Sequence, residues 1–132
     1  MRPITRYVIA LLTAIGLGLA SVFLAVVILE IPPNRESMFP FLLAEFSWLT
    51  LILLFASGIV LGVNFAIHPL MLGFATMAAF PALAFVDMAQ NPYSHNLWPI
   101  EFVMYGLVSL LAVGGAYAGR ALQQTADRRS RS

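Results

Sequence analysis

The chain reads as an all-α membrane protein: a four-helix transmembrane bundle with both termini cytoplasmic. Three observations predict this. Four apolar stretches, each long enough to cross a bilayer, occupy nearly all of the 132 residues. Hydrophobic residues make up 61% of the composition and charged residues only 10%, against about 25% in a soluble domain, so the chain could not cover a water-facing surface. Charge is also sorted, with most arginines on one side of the stretches and most acids on the other.

The first stretch runs from about Tyr7 to Leu29, after Arg2 and Arg6. A secretory signal has an apolar core of about 7–15 residues, and this run is longer, with no small-x-small cleavage site behind it. It reads as a retained transmembrane helix. Pro32 and Pro33 then stop the helix, because proline has no amide donor and restricts the residue before it. Ser37 suits an N-cap, and Pro40 suits the first turn of a second helix over about Phe41 to Val63.

The turn from Asn64 to His68 is short, which predicts that helices two and three are antiparallel neighbours. Helix three runs from about Pro69 to Met88, and Pro81 inside it predicts a kink. A second outer loop, Ala89 to Leu97, leads to helix four, over about Ile100 to Gly119 with Pro99 in its first turn. Residues 1–122 form one domain, and a disordered basic cytoplasmic tail follows over residues 123–132.

Orientation comes from the arginines. The chain has no lysine, and the inner segments hold Arg2, Arg6, Arg120, Arg128, Arg129 and Arg131 while the outer loops hold only Arg35. Positive charge marks the cytoplasmic side, so both termini are expected there. Trp48 and Trp98 fall near the outer boundary, where aromatic belts form. The basic tail reads as a determinant of topology or a contact for anionic lipid, not as a nucleic-acid site. With no cysteine, disulfides and thiolate chemistry are excluded.

Apolar side chains meet lipid as readily as protein, so packing in a membrane depends on small residues that let backbones approach. Gly58 and Gly62 form one GxxxG motif, and Gly115 and Gly119 form another. Ala10, Ala14 and Gly18 make a small stripe on helix one, and the pairs Ala75/Ala79 and Ala78/Ala82 do so on helix three. These faces serve contacts within the bundle, or self-association.

Five of the six acids, Glu30, Glu36, Glu45, Asp87 and Glu101, fall on the predicted outer side. Glu30 and Glu36 read as solvated loop charges, and Glu101 suits the positive end of a helix dipole. Glu45 is set more than a turn inside the predicted second helix. An embedded acid costs about 2.5–3.5 kcal/mol and therefore faces a partner or water. Glu101, Tyr105 and Ser109 recur every four residues, and Thr76 and Asp87 lie eleven apart, so each set shares a helix face. Glu45, Asp87, His95, Glu101 and Tyr105 are thus a candidate polar pocket. No tight metal-ligand spacing accompanies them, and His68 reads as a turn residue.

The run Asn91-Pro92-Tyr93-Ser94-His95-Asn96-Leu97-Trp98-Pro99-Ile100-Glu101 resembles a segment of small, uncharacterised multi-spanning bacterial membrane proteins. The resemblance implies an inner-membrane location and no activity. The chain shows no phosphate-binding loop, nucleophile elbow or nucleophile–base pair. The expectation is a non-enzymatic accessory or interaction subunit of the bacterial inner membrane without a cofactor. Its expected partners are the lipid bilayer and a homo-oligomer or larger membrane complex. The alternative is a small oligomeric ion or proton pathway using the outer carboxylates.

Overall fold

The structure, a computed structural model, describes residues 3–29, 47–90 and 98–130, with Asp87, Gln90, Trp98 and Glu101 placed by their backbone alone. All regular structure among these residues is helical: α1 (Pro3–Ile28), α2 (Trp48–Asn64), α3 (Pro69–Met77), α4 (Ala79–Gln90) and α5 (Trp98–Arg129). Three stretches, Ile4–Ile28, Pro69–Val86 and Phe102–Arg129, are long and apolar enough to cross a membrane. The fourth predicted span is the shorter apolar helix α2, whose 17 residues reach about 26 Å.

The start of α2 corrects the expected one. Ser47 is extended, with φ −66° and ψ 157°, and its side chain accepts from the Thr50 amide. A continuous helix from Phe41 to Val63 would have to pass through Ser47 in helical geometry. The serine caps the helix instead, satisfying one of its orphan amides. The predicted cap Ser37 and Pro40 lie outside the described residues.

The third span breaks where its proline requires. Pro81 has no amide to give the Met77 carbonyl, and its ring crowds that oxygen. The chain responds at Ala78, whose N–H turns to the Ala75 carbonyl at 3.2 Å and separates α3 from α4. At the other end of α3, Pro69 takes the first position, and His68 caps it by accepting from the Leu70 amide through Nδ1 at 3.4 Å.

α5 also departs from expectation. It continues to Arg129, through the segment predicted to be disordered from about Gln123. Residues 121–129 contain no glycine or proline, and alanine, leucine, glutamine and arginine are good helix formers. Arg128 and Arg129 in the last turn oppose the negative end of the dipole.

Two apolar clusters show how the chain runs. One gathers Ala10, Ala14, Leu61, Leu72, Ala75 and Ala116, and the other Val22, Leu54, Met77, Phe80, Tyr105 and Val108. Residue numbers rise from the first cluster to the second along α1 and α3–α4, and fall along α2 and α5. The spans therefore alternate in direction, and the start of α1 and the end of α5 share one end of the bundle.

The largest helix interface is not between neighbours in sequence. α2 and α3 are antiparallel, but they meet over a small surface, whereas α2 and α5 form the largest interface. α1 packs on α2 and α3, and α5 packs on the same two helices. The short turn thus joins diagonal helices.

Glycine explains the exchange. A Cβ at Gly58 would strike the Ala112 carbonyl oxygen, and one at Gly62 the Ala116 carbonyl. Reciprocally, a Cβ at Gly115 would strike the Phe55 carbonyl and one at Gly119 the Ile59 carbonyl. The two GxxxG motifs lie face to face on parallel helices, with backbone against backbone. Gly18 likewise meets the backbone of Thr76, joining α1 to α3. Ala10 and Ala14 are fully buried on the same face of α1. Of the pairs expected on helix three, Ala75 is buried, but Ala78 and Ala82 face outward.

Candidate functional site

The candidate polar pocket is only partly within the described structure. Glu45 and His95 lie outside the described residues. In sequence Glu45 precedes the Ser47 cap of α2 by two positions. Asp87 is near the end of α4 and Glu101 near the start of α5. These two stretches are adjacent: the rings of Phe85 and Phe102 lie 5.3 Å apart between centroids. The backbones of Asp87 and Glu101 therefore share one end of the bundle, opposite the end that holds the start of α1.

The eleven-residue spacing of Thr76 and Asp87 does not carry a shared face. It crosses the break at Ala78, and the rule needs an unbroken helix. The Tyr105 and Ser109 part of the other stripe does turn inward, with Tyr105 3% exposed and Ser109 0%. Yet Tyr105 sits in an apolar environment. It stacks on Phe80 at 5.7 Å and 29° and lies near Phe102 at 6.2 Å. On the described side it is an interior tyrosine packed into the core formed by Val22, Phe80 and Val108.

The polar interior consists of hydroxyls. Ser21, Ser57, Thr76 and Ser109 are all buried, one on each of α1, α2, α3 and α5. Each falls between the two apolar clusters, so the four form a layer at the waist of the bundle. Ser21 and Ser57 meet at 2.9 Å across the α1–α2 interface. The Ser21 hydroxyl also donates to the Leu17 carbonyl at 2.7 Å, which leaves Ser57 as donor between the two serines. Thr76 donates to the Gly73 carbonyl and Ser109 to the Gly106 carbonyl, each at 2.6 Å. These bonds satisfy the hydroxyls where lipid and core offer no water. Among the described residues, no three His, Cys, Asp or Glu side chains gather as metal ligands.

A cleft that the sequence reading missed lies at the opposite end, where α1 begins and α5 leaves the bundle. It encloses about 580 Å³ between Arg6 and Tyr7 of α1, the α2–α3 turn, and Gln123 of α5. Phe65 and Ile67 from the turn form its apolar wall. The turn is held in place on both sides. Asn64 donates its side-chain amide to the Val60 carbonyl at 2.7 Å, and Arg120 donates to the Ile67 carbonyl at 3.4 Å. The sequence signal is weak, because Gln123 follows the apolar run and Arg6 also serves the charge asymmetry that sets topology.

Compared with protein-family models, curated proteins and solved structures, the chain matches none.

Proposed function

We propose that the chain is a non-enzymatic accessory or interaction subunit of the bacterial inner membrane. The observation that supports this most is the α2–α5 seam, where paired glycines lock two helices backbone to backbone. Such a seam makes a stiff scaffold. The described interior is then filled by apolar side chains and by hydroxyls bonded to each other or to their own helices. What the scaffold offers outward is apolar helix surface and the arginine-rich end of α5, whose residues 121–129 are exposed. Both are surfaces for lipid or another membrane protein. The arginine distribution supports an orientation with both termini cytoplasmic. Affinity purification of the full chain from native membranes after cross-linking tests the reading. A reproducible partner, or a defined homo-oligomer, is expected; recovery of scattered monomer counts against it.

One observation favours a second reading, a small ion or proton pathway. The contact of Phe85 with Phe102 brings the Asp87 and Glu101 stretches together, on the side where Glu45 is expected. Flux through proteoliposomes that Glu45→Gln abolishes without altering assembly is what this reading requires. Wild-type vesicles without flux would eliminate it.

A further inference from the structure

The cleft beside Arg6 carries chemistry that neither reading uses. Its polar side chains are Arg6, Tyr7, Asn64 and Gln123; Asn64 gives an N–H to the Val60 carbonyl, and the Arg6 guanidinium, the Tyr7 hydroxyl and the Gln123 amide can donate to a ligand. Among the described residues, no carboxylate lines it. The nearest acid along α5, Asp127, is exposed and set one turn beyond Gln123. A cleft with donors and no acid suits an anion. Arg120 stands behind the wall, bonded to the Ile67 carbonyl, and adds a second positive charge at the same level.

The other walls are apolar, and they are continuous with lipid-facing surface. Ile9 lines the cleft and is 39% exposed; Leu12, the next outward residue on that side of α1, is 63% exposed. The cleft also lies where the apolar run of α1 begins, which is the depth of the headgroups. A ligand that matches all of this has an anionic phosphate at one end and a hydrocarbon chain at the other. We infer that the cleft binds the headgroup of an anionic phospholipid, with the phosphate at Arg6 and Gln123 and an acyl chain along Ile9 and Leu12. Basic pockets between transmembrane helices are suited to this role. The turn from Asn64 to His68, pinned by Asn64 and Arg120, keeps the site in shape before the lipid arrives.

Native mass spectrometry of the full chain in neutral detergent tests the site, with phosphatidylglycerol, phosphatidylcholine and inorganic phosphate as probes. Wild type should retain phosphatidylglycerol about fivefold better than phosphatidylcholine, the worth of one arginine at a membrane surface. Arg6→Gln should remove that preference and Arg6→Lys should keep part of it. Both change an exposed side chain, so an unaltered melting temperature will show that the fold is retained. The tail double variant Arg128→Gln/Arg129→Gln should keep the preference. Equal retention of the two lipids by wild type overturns the inference. So does a preference that survives Arg6→Gln, or one lost with the tail variant, which would mean diffuse attraction. Displacement of the lipid by inorganic phosphate alone would assign the cleft to a free anion and overturn the lipid site.

Discussion

Ser21 and Ser57 meet where α1 crosses α2, and their 2.9 Å contact is a polar link between two apolar helices. Interhelical hydrogen bonds in membranes are worth about 0.6 kcal/mol on average and up to about 1.7, since an unfolded chain in lipid also finds partners. A double-mutant cycle with Ser21→Ala and Ser57→Ala should therefore give a coupling energy of about 0.6–1.7 kcal/mol in a detergent unfolding assay. Zero coupling would mean that the two hydroxyls stabilise the fold only through their own helices. Single residues were unevenly legible. The four-residue spacing of Tyr105 and Ser109 implied a shared face, and in the structure both are buried. The nature of that face was not legible, because Phe80 comes from α4 and Val22 from α1. The cap at Ser47 is hard to see in the sequence, since a long apolar run conceals where its helix starts.

Glycine decides the arrangement of the elements. At Gly62 and Gly115 any side chain would meet a carbonyl of the facing helix, so the α2–α5 seam has no slack. Gly62→Leu or Gly115→Leu should destabilise the bundle by about 1–3 kcal/mol, the range for overpacking a tight interface, read as a lower melting temperature in detergent. Gly114→Ala is the control: its added carbon would meet only the Phe55 ring, at an ordinary 3.8 Å, and should leave stability unchanged or raise it. An equal loss in all three variants would indicate a helix-wide effect in place of close approach. The GxxxG motifs were visible in the sequence, and so was the disturbance at Pro81, though as a kink and not as a break at Ala78. Their pairing was not, because small residues on every helix allow many combinations. The short turn after α2 implied only that α3 lies antiparallel beside it. Closer backbone approach was available on α5, and that contact prevailed.

At the scale of the molecule, the alternation of spans places the end of α1 and the end of α5 at opposite ends of the bundle. The chain has no cysteine, so single cysteines report position without background. Leu29→Cys should react with an impermeant maleimide in intact cells. Ser130→Cys should react only in inverted membrane vesicles. The reverse pattern would invert the orientation inferred from the arginines, and labelling of both from one side would contradict the alternation itself.

From its sequence alone this protein was determined to be helical and apolar enough for a membrane, with its proline break and its glycine motifs in place. These properties are local. They follow from composition, from run length and from the backbone limits of proline and glycine. Which helices meet, and what they enclose, was decided only in three dimensions. In a membrane, hydrophobicity does not choose between lipid and protein as neighbours, so the choice falls to the fit of one backbone against another. That fit set α2 against α5, turned Tyr105 into core, and opened a cleft beside Arg6 from three segments distant in sequence.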